Sequence, residues 1–228
     1  MKWLTVLLLV LVLASTVMPA AALNPEKSQQ RKAAHQITFV IHKKGDNGED
    51  ITGRALCTAN ALGAHALLTA NHCDAGETEI TVDRELVPRA IFGRITDGED
   101  HVIFLVGGPV FKDTMKAYYS PDSYKENKVG DETFLYGDGG GMFPPQYRQG
   151  RRMGTVVMSP EELKYLLISD PNLYMFDINI IGGDSGSAIY DLKTGKLVTL
   201  VTYGVADKFC GAYKMDFTQE QISRAETF

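Results

Sequence analysis

The sequence predicts an all-β protein built in two halves. From Ala33 onward, short apolar runs alternate with turn signals, which is typical of a β-sandwich or β-barrel. The 22 glycines and ten tyrosines, together with little continuous helical patterning, favour the same class. The polar stretch 113–130 separates a first series of apolar runs, in residues 37–112, from a second series in residues 131–217. We therefore expect two β-structures joined by a connection.

Each apolar run is a candidate strand. The run 37–42 alternates apolar and polar residues and leads into Gly45-Asp46-Asn47-Gly48, where Asn-Gly favours a hairpin turn. The other runs of the first half are 54–59, 66–70, 80–82, 86–95 and 102–106, and those of the second half are 133–136, 147–157, 173–178, 187–190, 197–203 and 212–216.

Two segments carry helix start signals. Ser159, Pro160 and Glu162 have the form of a capping box, but the following residues 163–168 fit a strand equally well, so helix and strand both stay open there. Thr218 is a good N-cap for a helix over residues 219–227, with Ile222 as its apolar contact.

The first 22 residues have the pattern of a secretory signal peptide. Lys2 precedes an apolar run over residues 4–14, and small residues end the segment at Ala22. We expect cleavage before Leu23 and export to an extracellular or periplasmic space, with residues 23–36 remaining as an N-terminal segment or propeptide. The alternative is an uncleaved membrane anchor. Two observations count against it: the apolar run is short, and no basic stop-transfer cluster follows it.

Charge and cysteine content narrow the class of protein further. The net charge of −5 and the lack of a Lys/Arg cluster exclude a basic field for nucleic acid. An oxidising destination permits disulfides, and three cysteines leave one thiol over. Cys210 has no obvious partner, and we expect it to be a buried small hydrophobe.

Three short segments carry candidate chemistry. They are Thr69-Ala70-Asn71-His72-Cys73, the apolar run that Asp100 opens, and Gly182-Gly183-Asp184-Ser185-Gly186-Ser187. A nucleophilic serine needs a base, a carboxylate that orients the base, and N–H donors aimed at the developing oxyanion. Ser185 lies in a glycine-flanked turn, while His72 follows an apolar strand and Asp100 begins another. These are positions at which a rigid scaffold can hold a side chain.

Thr-Ala-x-His-Cys and Gly-Asp-Ser-Gly resemble the histidine and serine motifs of chymotrypsin- and trypsin-like serine proteases, and the order His, Asp, Ser is also theirs. The resemblance implies two packed six-stranded β-barrels with a short C-terminal helix. It implies a catalytic triad of His72, Asp100 and Ser185 between the barrels, with roles carried over from that family. Gly183 N–H and Ser185 N–H would be the oxyanion donors.

The same resemblance extends along the chain. It implies a Cys57–Cys73 disulfide that pins the histidine loop. It also implies a strand that binds the substrate backbone, formed by Thr202, Tyr203 and Gly204. The glycine-rich stretch 137–141 resembles the loop that opens the second barrel in bacterial-type members, so we expect this chain to lie closer to them than to animal digestive members.

Alternatives exist at several of these positions. Asp97 is three residues from Asp100, but only Asp100 directly precedes the apolar run and is therefore favoured as the orienting carboxylate. Zinc ligation would require a spacing that the cysteines and histidines around His72 lack, so we expect neither a metal nor another cofactor. The remaining histidines are expected to be surface or packing residues: His35, His42, His65 and His101.

The sequence departs from the family pattern at three places, and family properties that depend on those places do not carry over to this chain. No Ile-Val-Gly-Gly motif precedes Cys57, so the partner of Asp184 stays open. The position that would bridge to Cys210 is Ile181, so that disulfide is absent. Asn179, six residues before Ser185, takes the place at the pocket floor where trypsin has an aspartate.

The pocket implied by this alignment is neutral and open. With Asn179 at its floor and Gly204 and Gly211 on its walls, it predicts cleavage after large neutral residues. A shift of two residues in register would bring Asp177 to the floor and favour basic residues instead.

The sequence thus predicts a secreted, monomeric serine endopeptidase that acts on protein or peptide substrates through an acyl-enzyme. The alternatives are a catalytically silent protease-like binding module and a membrane-tethered processing protease.

Overall fold

A computed structural model describes residues 25–44, 47–115, 119–120, 122–166, 168–205 and 208–228. The predicted signal peptide (1–22) lies outside the described residues, as do Gly45 and Asp46 of the predicted hairpin turn. Within the described ranges, no helix is long and apolar enough to cross a membrane. The described chain is mostly β-structure in two halves, as the sequence predicts.

The first half is a closed six-stranded barrel. The strands follow the order β1-β2-β3-β6-β5-β4, and every neighbouring pair is antiparallel. Strands β3 and β6 are buried at every residue. The barrel interior is filled by large apolar side chains such as Ile37, Leu67 and Phe104. The strands are β1 (Ala34–Lys44), β2 (Asp50–Gly63), β3 (Ala66–Ala70), β4 (Glu79–Val82), β5 (Arg89–Thr96) and β6 (His101–Val106).

The second half is a curled sheet of seven strands in the order β11-β10-β7-β8-β9-β13-β12. The expected count of six is exceeded because the short strand β12 pairs only with β13 and extends the sheet at one edge. The strands are β7 (Glu132–Gly137), β8 (Gln146–Val157), β9 (Asn172–Phe176), β10 (Ala188–Asp191), β11 (Leu197–Leu200), β12 (Tyr203–Val205) and β13 (Phe209–Ala212).

Four α-helices lie in the described ranges: α1 (Pro25–Ala33), α2 (Ser123–Glu126), α3 (Pro160–Leu166) and α4 (Gln219–Thr227). Helix α3 settles the open choice after Ser159, because Ser159 and Glu162 exchange side-chain-to-backbone hydrogen bonds as a capping box does. Helix α4 begins after Thr218, which forms a second capping box with Gln221. The C-terminal helix is therefore confirmed, whereas α1 was not expected.

A single apolar cluster joins the two halves. It contains Leu62 and Leu68 from the first barrel and Phe134 and Tyr190 from the second sheet, all almost wholly buried. Both terminal helices pack on this cluster, α1 through Ala33 and α4 through Ile222 and Ala225. Burying one large apolar side chain contributes about 1.5–3 kcal/mol, so the cluster fixes the two halves against each other.

The three cysteines adopt the expected states. Cys57 on β2 and Cys73 after β3 form a disulfide across 16 positions, which the chain-entropy model values at about 3 kcal/mol. Cys210 is free and buried. Burial raises the pKa of its thiol far above the usual range, as expected for an inert core cysteine.

Candidate active site

His72 and Asp100 meet where β3 ends and β6 begins. The two strands pair at Ala70 and His101, so the residues just beyond the pair are brought together. Asp100 accepts two hydrogen bonds from His72, at 2.9 Å from the backbone N–H and at 2.7 Å from Nδ1. The carboxylate favours the tautomer with its proton on Nδ1, which leaves Nε2 as a proton acceptor. His72 is 43% exposed and Asp100 only 11%, so the imidazole faces solvent and the carboxylate lies behind it.

Asp97, the alternative carboxylate, belongs to a second buried pair. Its Oδ2 lies 2.7 Å from Nδ1 of His101, and both side chains are wholly buried. Backbone N–H groups of Glu99 and Asp216 also donate to Asp97. Burial acts to raise the pKa of Asp97, but the hydrogen bonds outweigh it and the pKa is lowered. The structure thus brings Asp100 to His72 and Asp97 to His101.

The loop of Ser185 packs directly on the strand end that carries His72. The Ser185 carbonyl accepts a hydrogen bond of 2.8 Å from Thr58 N–H. A Cβ on Gly186 would lie 2.1 Å from Thr69 Oγ1 and 3.0 Å from Ala70 N, so only glycine fits there. Because Ala70 is two residues before His72, the serine loop packs on the residues that lead into the histidine turn. Among the described residues, the hydrogen bonds of His72 run to Asp100, and none joins its imidazole to the Ser185 hydroxyl.

The two expected oxyanion donors flank Asp184. Gly183 adopts φ +103°, a conformation that favours glycine. In the part of the chain that the structure describes, neither Gly183 N–H nor Ser185 N–H donates to a protein acceptor.

Asp184, whose partner the sequence left open, is paired with Arg148. The carboxylate is wholly buried, and its Oδ2 lies 2.5 Å from the guanidinium. Backbone N–H groups of Gly139 and Ile181 donate to it at 2.8 Å each. A Cβ on Gly137 or Gly139 would approach Asp184 to 2.4–2.5 Å, which explains two glycines of the glycine-rich stretch.

Sequence reasoning missed Arg148 because three arginines lie on β8. The alternation of β8 separates them, because Arg148 faces inward and Arg151 faces outward, but the sequence does not show that Asp184 is buried and requires a cation.

The expected substrate-binding residues differ in exposure. Asn179 and Tyr203 are exposed, whereas Thr202 is buried and donates through Oγ1 to the Gly211 carbonyl at 3.2 Å. A Cβ on Gly204 would lie 3.3 Å from Ile180 Cδ1. A Cβ on Gly211 would lie 2.9–3.0 Å from side-chain atoms of Leu173. Because Leu173 fills this space, Gly211 does not form the open pocket wall that the sequence predicted.

No family model matches this chain, and no curated protein matches its sequence. Solved structures do match its fold. The inactive form of the Rv3671c protease from M. tuberculosis aligns with a TM-score of 0.62 and 16% identity over 91% of this chain and 96% of the other. The active form aligns with a TM-score of 0.60 and 16% identity over 91% and 85%. A variant of the HtrA-type protease AlgW, solved with a decapeptide, aligns with a TM-score of 0.66 and 17% identity. The alignment covers 83% of this chain and 62% of the AlgW chain.

The fold is the double β-barrel of these proteases. At 16–17% identity the likeness concerns the fold. Here a buried carboxylate orients an exposed imidazole, and the loop of Ser185 packs on the barrel that carries this imidazole. In the described part of the chain, the N–H groups of Gly183 and Ser185 donate to no backbone acceptor. Such a set can generate a nucleophile and stabilise an oxyanion.

Proposed function

We propose that this protein is a serine endopeptidase that cleaves peptide bonds through an acyl-enzyme on Ser185. The hydrogen bond between His72 Nδ1 and Asp100 Oδ2, next to the loop of Ser185, is the observation that carries the proposal. The likeness of the fold to solved proteases supports it.

His72 acts as the general base in this proposal. Its Nε2 takes the proton from Ser185 as the hydroxyl oxygen attacks the peptide carbonyl, and later returns it to the leaving amine. Asp100 holds the ring orientation and stabilises the imidazolium. Water then attacks the acyl-enzyme by the same route, which releases the second product and restores Ser185. His72 acts as this base only in its uncharged form.

Gly183 N–H and Ser185 N–H stabilise the oxyanion that forms in both steps. One such donor typically contributes a factor of about 10²–10³ in kcat. Thr202, Tyr203 and Gly204 hold the substrate backbone, as the family resemblance implies.

Replacement of the nucleophile tests the proposal. We expect Ser185→Ala to keep its fold but to retain less than about 1% of wild-type hydrolysis of a mixed peptide library. Ser187→Ala is a matched control in the same loop, because the Ser187 hydroxyl is buried and lacks a partner among the described residues. A fluorophosphonate probe should label wild type and the control but not Ser185→Ala. A folded Ser185→Ala protein that turns over normally would refute the assignment, and an unlabelled wild type would favour a catalytically silent binding module.

For the substrate, we propose cleavage after large neutral residues. Asp177, the residue that a shifted register would bring to the pocket, accepts a hydrogen bond from Arg151 N–H on β8, which supports the register with Asn179. Ile180 lines Gly204 with an apolar side chain. A charged substrate side chain would lose hydration there without a counter-ion. Dominant cleavage after Lys or Arg in the library would contradict this.

We also propose that the protein is exported, after cleavage before Leu23, and acts as a monomer outside the cytoplasm. The signal-peptide pattern of residues 1–22 supports export. N-terminal sequencing of the exported protein tests the cleavage site, and a retained N-terminal segment in the membrane fraction would favour the membrane-tethered alternative.

A further inference from the structure

The glycine-rich loop Gly137–Gly141 fixes the peptide that carries an oxyanion donor. Gly140 N–H donates to the Gly182 carbonyl at 2.6 Å. The Gly182 carbonyl and Gly183 N–H belong to one planar trans peptide and point in opposite directions. Holding the carbonyl towards Gly140 therefore turns Gly183 N–H the other way. Gly140 itself has φ +68°, which glycine adopts without strain.

The Thr58 hydroxyl connects Asp138 to the peptide bond that follows Gly183. Its backbone N–H donates to Thr58 Oγ1 at 3.0 Å, and that hydroxyl donates to the Gly183 carbonyl at 2.9 Å. The Asp138 carbonyl lies 3.0 Å from where a Cβ on Gly183 would stand. The orientation of both peptides around Gly183 thus depends on the position of residues 138–140.

The Asp138 side chain is an unusual part of this loop. It is wholly buried, and neither carboxyl oxygen has a hydrogen-bond partner among the described residues. The single hydrogen of the Thr58 hydroxyl is given to Gly183. A buried ionised carboxylate without partners is far more costly than the neutral acid.

The charged groups around Asp138 also favour the neutral acid. Asp83 and Asp184 are the acidic neighbours, and Asp184 is already matched by Arg148. Arg84 is the nearby cation, but it is exposed and its guanidinium donates to the Gly141 carbonyl at 2.6 Å. Burial and then these two carboxylates raise the pKa of Asp138 to about 7, and Arg84 acts in the opposite direction.

We propose that Asp138 is a positioning residue for the oxyanion donors and that it works only as the neutral acid. Ionisation places a second buried negative charge beside Asp184 and drives the Gly137–Gly141 loop away from it. The hydrogen bonds from Gly140 to Gly182 and from Thr58 to Gly183 then weaken, and Gly183 N–H loses its orientation. This inference rests on the proposed peptidase function and adds an alkaline limit to it.

The pH profiles of kcat and KM for wild type and Asp138→Asn provide the test. Asparagine keeps the shape of the acid but cannot ionise. We expect wild-type kcat to fall about tenfold per pH unit on the alkaline side, as for one ionisation, with little change in KM. Asp138→Asn should keep its kcat through that range, and the exposed Asp50→Asn should behave as wild type. The inference is overturned if kcat falls with rising pH in the same way in wild type and in Asp138→Asn. It is also overturned if the wild-type kcat stays flat to pH 9.

Arg84→Gln provides a second variant at an exposed position. Arg84 lowers the pKa of Asp138, so its removal should move the alkaline limb to higher pH. A limb that stays in place or moves to lower pH counts against the inference.

Thermal unfolding separates this inference from the proposed function because it needs no substrate. The acid has a folded pKa of about 7 against 3.8 when unfolded. Asp138 therefore costs the folded state progressively more as pH rises from about 4 to about 7, and the full cost persists above that. The melting temperature of Asp138→Asn relative to wild type should rise between pH 5 and pH 8. A difference that does not change with pH overturns the inference, whereas missing hydrolysis at every pH contradicts only the proposed function.

Discussion

At the scale of single residues, the sequence around the nucleophile is dictated by packing as much as by chemistry. Gly186 has φ +83° and lies against Thr69 and the Thr58 carbonyl, so the serine loop is pressed onto the first barrel. Gly182 in the same loop has open space around it. Two glycines that look equivalent in the sequence therefore carry different constraints.

This difference predicts unequal effects of alanine. Gly186→Ala places a Cβ 2.1 Å from Thr69 Oγ1 and 2.2 Å from the Thr58 carbonyl, in a backbone conformation that alanine disfavours. We expect a loss of stability of about 3 kcal/mol or more and loss of hydrolysis, measured by urea unfolding and peptide turnover. Gly182→Ala is the control and should stay close to wild type in both. Equal effects of the two substitutions would show that packing on Thr69 does not set the position of the loop.

The sequence was sufficient to name the residues that lie in short motifs, but not the partners that contact them from distant parts of the chain. His72, Asp100 and Ser185 could be named because each lies in a short motif with a chemical reason for its residue types. The pairing of Asp184 with Arg148 joins two segments 36 positions apart and depends on how β8 lies against the serine loop. The buried acid of Asp138 is equally invisible, because a sequence does not show which loop aspartate is withdrawn from water.

At the scale of elements, strand β8 supplies the charge that the serine loop requires. Its residues alternate in exposure, so Arg148 reaches Asp184 while Arg151 faces solvent and lies 3.4 Å from Glu132. The buried carboxylate next to Ser185 is thus neutralised from within the folded chain. The position of the serine loop then depends on β8 as well as on the first barrel.

We therefore predict that Arg148→Gln leaves Asp184 as an unpaired buried charge. Breaking a buried ion pair typically costs about 3–5 kcal/mol, and the loop that carries Gly183 should lose its fixed position. Urea unfolding should show that loss, and kcat should fall by as much as about 10², the contribution of one oxyanion donor. Arg151→Gln, on the same strand, removes only an exposed contact and should change stability by less than about 0.5 kcal/mol. Full activity in a stable Arg148→Gln protein would contradict this role.

Elements with complete local signals were predicted well. The helix after Thr218 has both halves of its capping box in the sequence, and its predicted range matches α4. The segment after Ser159 was ambiguous because its apolar residues fit either period, and the cap formed with Glu162 decides for a helix. Helix α1 was missed because its amphipathic pattern is weak and its burial depends on residues that lie far along the chain.

At the scale of the whole molecule, the first and last of the described helices pack on the apolar cluster that joins the two halves. Helix α4 packs on the cluster between the halves through Ile222 and Ala225. At the other end, Gln30 of α1 is wholly buried and donates from Nε2 to the Gly195 carbonyl at 2.6 Å, in the turn between β10 and β11. Ala33 closes the same cluster. Helix α1 therefore packs as an integral part of the folded molecule.

The last prediction follows from this packing of α1. Removal of residues 1–33 exposes the cluster under Ala33 and deletes the Gln30–Gly195 hydrogen bond, which by itself is worth about 0.5–1.5 kcal/mol. With the lost apolar contacts we expect a destabilisation of about 2 kcal/mol, or roughly 4–8 °C in melting temperature for a chain of this size. A chain that begins at Leu23 is the control and should melt as the exported protein does. If residues 23–36 were instead a removable propeptide, the chain that begins at Ala34, which lacks residues 23–33 of that segment, would be equally stable and would hydrolyse peptides faster than the control. Calorimetry and peptide turnover on the two chains distinguish these outcomes.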